Sequence, residues 1–211
     1  MKNSLVCKLS HGALTLLLTL TLVSSAWASA VTDGLKSTID RVINVVTDDK
    51  YKNDPQARRA KLRGIINPKF DYIEMGKRSL ARNWRDLSPQ DRKDFIDLFG
   101  QLLENSYAKK IESYQNEEIL YVDEVIKGKY AMVKTEIKRK NDVIGVDYKL
   151  IQNGSDWQVY DFIVEGVSLI RNYRSQFNKI IKKDSFPVLM NKLNKKVKDL
   201  EAGTADDKDE L

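Results

Sequence analysis

Between residues 118 and 164 the hydrophobic spacing changes from a helical period to a two-residue one, and this switch constrains the fold more than any other feature. Glu118 to Ile126 is apolar with charge breaks, and Lys127-Gly128 reads as a tight turn. From Tyr130 to Arg139 the chain alternates, with Ala131, Val133, Thr135 and Ile137 on one face. After Asn141-Asp142, the residues Ile144, Val146, Tyr148 and Leu150 alternate against Asp147 and Lys149. Asn153-Gly154 makes a third turn, and Trp157 to Val164 is apolar on both faces. Connections this short join only antiparallel neighbours, so the segment predicts a four-stranded antiparallel meander.

A meander with one apolar face must be covered, and the flanking sequence supplies helices. Leu35, Ile39, Val42, Ile43 and Val46 recur at helical spacing. Asp54-Pro55 opens a second helix, with Leu62, Ile65 and Ile66 on its buried side and Pro68 beyond its end. A third helical stretch is predicted from Phe70 to about Trp84. Ser88-Pro89-Gln90-Asp91 then starts the strongest helix, in which Phe95, Leu98, Phe99, Leu102, Tyr107, Ile111 and Tyr114 fall mostly on one side. Taken singly, each of these is an ordinary core residue. Beyond the strands, Ser168 can cap a helix carrying Leu169 or Ile170, Tyr173, Phe177, Ile180 and Ile181. Asp184 or Ser185 can cap a last one carrying Phe186, Leu189, Leu193, Val197 and Leu200. The predicted fold class is α+β: a four-stranded antiparallel sheet packed against a layer of helices gathered on one side.

The N-terminus has the layout of a secretory leader. Lys2, Lys8 and His11 precede the apolar run Gly12 to Val23, and Ala26, Ala28 and Ala30 offer small-x-small cleavage sites. The run is too short for a spanning helix. Residues 1–30 are therefore read as a cleaved signal peptide, 31–200 as one domain, and 201–211 as a charged, disordered tail. Cleavage after Ala28 or Ala30 removes Cys7 and His11, the only cysteine and the only histidine. Structural zinc sites and Cys–His or Ser–His nucleophile pairs then lack their residues. Loss of Lys2 and Lys8 leaves 34 basic residues against 30 acidic ones, a net charge of +4. Because the bases are scattered among acids, nucleic acid is not an expected partner.

The stretch Trp157-Gln158-Val159-Tyr160-Asp161-Phe162-Ile163-Val164-Glu165-Gly166-Val167-Ser168 is more specific than any periodicity. It resembles the corresponding segment of the MlaC (toluene-tolerance) family of phospholipid-binding proteins. Phe70-Asp71-Tyr72, Trp84-Arg85, Leu87-Ser88-Pro89-Gln90-Asp91-Arg92 and Asn172-Tyr173-Arg174-Ser175-Gln176-Phe177 agree in the right order. One departure is local: many relatives carry Leu-Gly before the tryptophan, where this chain has Leu80-Ala81-Arg82.

The resemblance implies a periplasmic carrier that holds a glycerophospholipid by its tails, in an apolar pocket between sheet and helices. Such a carrier passes its ligand between an inner-membrane ABC-type complex and an outer-membrane lipoprotein–porin complex, maintaining outer-membrane lipid asymmetry. It works as a monomer, with no catalytic residue, no metal and no cofactor other than the lipid. Carried over by position, Val167, Ile144, Val146 and Tyr148 are the first candidates for tail contact. Phe95, Phe99, Leu102, Tyr107, Leu169 and Tyr173 are further walls, and Tyr72, Val133, Leu150, Phe162 and Val164 complete the set. Lys and Arg are spread too evenly to single out a headgroup contact.

Two alternatives follow from the residues. Some cone-shaped α+β enzymes use a carboxylate beside a tyrosine, and Tyr160-Asp161 and Asp147-Tyr148 supply those types. Neighbours on a strand point to opposite faces, however, and Asp161 is better suited to a structural bond at a turn or helix end. The final Lys208-Asp209-Glu210-Leu211 matches an endoplasmic-reticulum retention signal, against which the bacterial character of the resemblance argues.

Overall fold

The computed structural model describes residues 29–205. The leader through Ala28 and the Lys-Asp-Glu-Leu ending lie outside them.

Six helices flank a sheet. Helices α1 (Ala30–Thr47), α2 (Pro55–Ile66), α3 (Tyr72–Leu80) and α4 (Pro89–Glu112) precede strands β1 (Glu118–Lys127), β2 (Tyr130–Lys138), β3 (Val143–Asn153), β4 (Asp156–Val164) and β5 (Val167–Ser168). Helices α5 (Leu169–Lys183) and α6 (Phe186–Glu201) close the chain. Each α-helix begins at a serine or aspartate whose side chain accepts a backbone N–H two or three residues on: Ser29, Asp54, Asp71, Ser88, Ser168 and Ser185. These caps satisfy donors that a helix start leaves unpaired.

The sheet is the expected antiparallel meander in the order β1-β2-β3-β4-β5. Its register sets Thr135 opposite Val146, Val133 opposite Tyr148 and Ala131 opposite Leu150. On the next ladder Val146 faces Val164, Tyr148 faces Phe162, and Leu150 faces Val159. Paired residues share a face, so Val133, Thr135, Val146, Tyr148, Leu150, Val159, Phe162 and Val164 all lie on one side.

Two features differ from the sequence reading. A fifth, two-residue strand follows β4 because Glu165 and Gly166 both take positive φ, 48° and 81°, as a tight type I′ hairpin requires. The helices also do not cover one face alone. The ladder shifts at Lys149/Leu150, leaving Tyr160 as an inserted residue. A bulge of this kind bends the strand and re-aims its side chains. Tyr160, together with Ile151, which alternates with Leu150, joins the helical core on the opposite face.

The buried residues fall into three clusters. The largest joins α3, α4, α5 and α6 through Met75, Leu80, Phe95, Phe99, Phe177, Leu189 and Leu193, all fully buried. A second seats Val31 and Leu35 of α1 on Ala131, Val133, Leu150 and Val159. The third joins α1 to α2 through Val45, Leu62 and Ile65.

The predicted third helix ends early. Its α-helical part stops at Leu80, and Ala81 to Asp86 continue as 3₁₀ turns. Ala81 has φ 51° and ψ −120°, a conformation that L side chains rarely adopt. This is the position at which the resemblance departs from Leu-Gly. We expect Ala81→Gly to stabilise the protein by about 1 kcal/mol, because relief of backbone strain outweighs the added freedom of the unfolded chain. Urea denaturation reads the difference directly, and an unchanged or lower midpoint would show that the backbone here is unstrained.

Candidate functional site

The three clusters do not merge, and the side chains at their margins form a ring between α1, α4 and the sheet. Tyr148 and Phe162 are cross-strand partners on the shared face. The Phe162 ring meets Tyr107 of α4 edge-on, with centroids 5.2 Å apart. One helical turn further along α4, Ile111 borders the α1–α2 cluster, as does Val42 of α1. One turn back along α1, Ile39 borders the second cluster beside Tyr148 and Tyr121 of β1. Each of these seven residues is half-buried, keeping part of its surface open although it faces other apolar groups.

This arrangement differs from an ordinary core. Interiors pack to crystal-like density with few voids, and the main cluster does so: Phe95, Phe99 and Phe177 are 0% exposed and stack or meet edge-on at 5.5–5.7 Å. The ring is apolar, and its members keep part of their surface exposed. Its polar atoms are few and remain uncharged. Burial pushes the Tyr148 hydroxyl up to about 12. Tyr121 is raised as well, by burial first and then by the nearby Tyr148 and Asp40. Both therefore remain neutral phenols at any physiological pH.

The fifteen residues suggested by sequence separate into distinct settings. Tyr107, Tyr148 and Phe162 are members of the ring. Ile144, Val146 and Val164 lie on the same sheet face, with Val146 buried and the other two half-buried. Val133 and Leu150 are on that face but covered by α1. Phe95, Phe99, Leu102 and Leu169 are buried in the main cluster, and half-buried Tyr173 packs against it.

Tyr72 is elsewhere. It donates to Asn67 Oδ1 at 3.0 Å and lines a cavity of about 510 Å³ with Arg63, Ile96, Glu104 and Glu201, on the helical side of the molecule. Val167 is 63% exposed, at the tip of the β4–β5 hairpin. The ring members that sequence reasoning did not single out are Ile39, Val42, Ile111 and Tyr121. Tyr121 carried a usable signal: it alternates with Ile119 in β1, and their partners Thr135 and Ile137 are on the face already assigned inward.

Asp161 has a structural use. It accepts from Ser168 Oγ at 2.7 Å and from the Ile170 N–H at 3.1 Å, with Lys149 Nζ at 3.5 Å. Its carboxylate thus ties β4 to the start of α5. Asp147 alternates with Tyr148 and lies on the other face of the sheet.

Among the described residues, no helix is long and apolar enough to cross a membrane. The model of the family described as MlaC protein matches residues 36–195. The chain is 25% identical over 150 residues to the intermembrane phospholipid transport system binding protein MlaC of Haemophilus influenzae, covering 68% of this chain and 70% of that one. To the toluene tolerance protein ttg2D of Pseudomonas putida it is 28% identical over 133 residues, covering 61% of each. A solved structure of a phospholipid-binding protein from Ralstonia solanacearum, in complex with a phospholipid, superposes with a TM-score of 0.74 at 20% identity. The match covers 82% of this chain and 99% of that one. At that identity the likeness establishes a shared fold.

Proposed function

The chain belongs to the MlaC family, and from that premise we propose that it is a periplasmic carrier that binds a glycerophospholipid by its acyl tails. It takes up and delivers that lipid between an inner-membrane ABC-type complex and an outer-membrane lipoprotein–porin complex, and so maintains outer-membrane lipid asymmetry. It acts as a monomer after removal of its leader, and it binds without catalysing a reaction.

The observation that carries this reading is the ring of half-buried apolar side chains between α1, α4 and the sheet. Moving a CH₂ from hydrocarbon into water costs ~0.8 kcal/mol. Two tails with roughly 28 methylenes would cost on the order of 20 kcal/mol if carried bare. A carrier must hide most of that surface, yet release it at a membrane. An apolar slot with few directional bonds meets both needs, since retention then depends on burial alone, which a bilayer or another apolar conduit can match. The bound phospholipid in the Ralstonia structure of the same fold supports the choice of ligand. The names of the two relatives support transport.

Extraction of the purified protein with organic solvent, followed by mass spectrometry, tests the reading. We expect close to one phospholipid per chain after expression in a lipid-replete cell. Protein that emerges empty, and that takes up no lipid from vesicles, would rule out the carrier.

A further inference from the structure

The hydroxyl of Tyr121 is buried from solvent and has no hydrogen-bond partner among the described residues. Buried polar atoms are nearly always paired, so such a group calls for a partner supplied from outside the chain. Tyr121 is also a member of the apolar ring. It shares the sheet face of Thr135, Val146 and Tyr148, and Tyr148 is near enough to influence its ionisation.

Its surroundings narrow the partner's chemistry. As a protonated phenol, Tyr121 offers an O–H to an acceptor. From α1, Lys36 Nζ lies 5.8 Å from the centre of the Tyr121 ring, but that ammonium is paired with Asp40 at 3.3 Å. The Asp40 carboxylate acts on the phenol with the opposite sign. No uncompensated positive charge faces the hydroxyl from α1, so a phosphodiester would lose its hydration there without gaining a counterion. An uncharged acceptor carries no such penalty. In a diacyl glycerophospholipid, the strong uncharged acceptors at the junction of tails and headgroup are the ester carbonyl oxygens.

We propose that Tyr121 donates its phenolic hydrogen to an ester carbonyl of the bound lipid, setting how deep the glycerol backbone sits in the slot. The assignment rests on the carrier reading above and adds a selectivity to it. Tails are held by burial, whereas one directional bond distinguishes ester-linked from ether-linked lipids, which lack the carbonyl.

The test uses the mature protein, stripped of lipid, and two synthetic phospholipids with the same headgroup and chain lengths, one diester and one diether. Wild-type protein should bind the diester roughly 5- to 30-fold more tightly, the range expected for one hydrogen bond to a group otherwise left unpaired. Tyr121→Phe should lose that preference through weaker diester binding, with diether affinity unchanged. Lipid-free Tyr121→Phe should melt at the same temperature as lipid-free wild type or higher, because the substitution removes an unpaired polar atom. A variant that keeps the ester preference, a wild type with none, or a lower melting point in the lipid-free variant would each overturn the assignment. Uptake of neither lipid by wild type would bring down the carrier reading and Tyr121 with it. Binding of both lipids without preference would remove Tyr121 alone.

Discussion

Phe99→Ala should lower the stability of the protein by about 3–5 kcal/mol, the usual cost of truncating a buried aromatic. Phe99 is 0% exposed. Its ring stacks on Phe95 at 5.5 Å and meets Tyr173 and Phe177 edge-on at 5.2 and 5.5 Å. Removing it takes away apolar contact area and leaves a cavity that three neighbouring rings cannot readily fill. Because domains of this kind are stable by only about 5–15 kcal/mol, the loss should be a large fraction of the total. Chemical denaturation of the lipid-free variant measures it. The same experiment separates the two roles that the sequence allowed for this stripe. A pocket wall facing an incompletely packed space would lose little on truncation, and lipid content would fall instead. A stability change below about 1 kcal/mol with reduced lipid would therefore place Phe99 in the pocket and not the core.

The second large effect has the opposite signature. Ile144→Asp should leave a folded protein that has lost most of its lipid. Ile144 pairs with Ile137 on the sheet face shared with Tyr148 and Phe162, and it is half-buried. In the lipid-free protein a carboxylate there can still reach water, so the cost to folding should be about 1–2 kcal/mol. An acyl chain laid over it would strip that water and offer no partner, a penalty of several kcal/mol. Lipid affinity should then fall more than about 100-fold. Lipid phosphorus per protein reports binding, and thermal unfolding confirms that the fold survives. Ile144→Leu, which keeps the apolar surface, should retain its lipid. Full lipid content in the aspartate variant would exclude this end of the sheet face from the binding surface.

Much of the architecture could be read without coordinates because its signals are local. Helix starts are announced by side chains that bond two or three residues ahead: Asp54, Ser88 and Ser168 were assigned on that basis, and the choice between Asp184 and Ser185 fell to Ser185. The inward face of β2 and β3 followed from alternation, since a strand shows its two sides in turn. Two local features escaped. Ser29 and Asp71 cap helices whose periodicity is plain but whose caps the sequence reading does not assign. The sequence reading has no turn at Glu165-Gly166, where the chain doubles back. Glutamate is not a residue expected at positive φ, so the sequence understated the turn.

What the sequence determined by itself was the order of elements, the antiparallel sheet and the side of each strand that is apolar, because these depend on residues within one or two turns of each other. It could not separate a fully buried aromatic from one left half-buried at the margin of the core. Phe99 and Tyr107 belong to one helical stripe, and only the partners brought by distant segments set them apart: Phe177 and Tyr173 close over the first, which is fully buried, while the second meets Phe162 and stays half-buried. The split of the apolar residues into three clusters was likewise a tertiary outcome. It arises because α1 is seated on the sheet at Val133 and Leu150 while α4 is anchored in the helical core at Phe95 and Phe99.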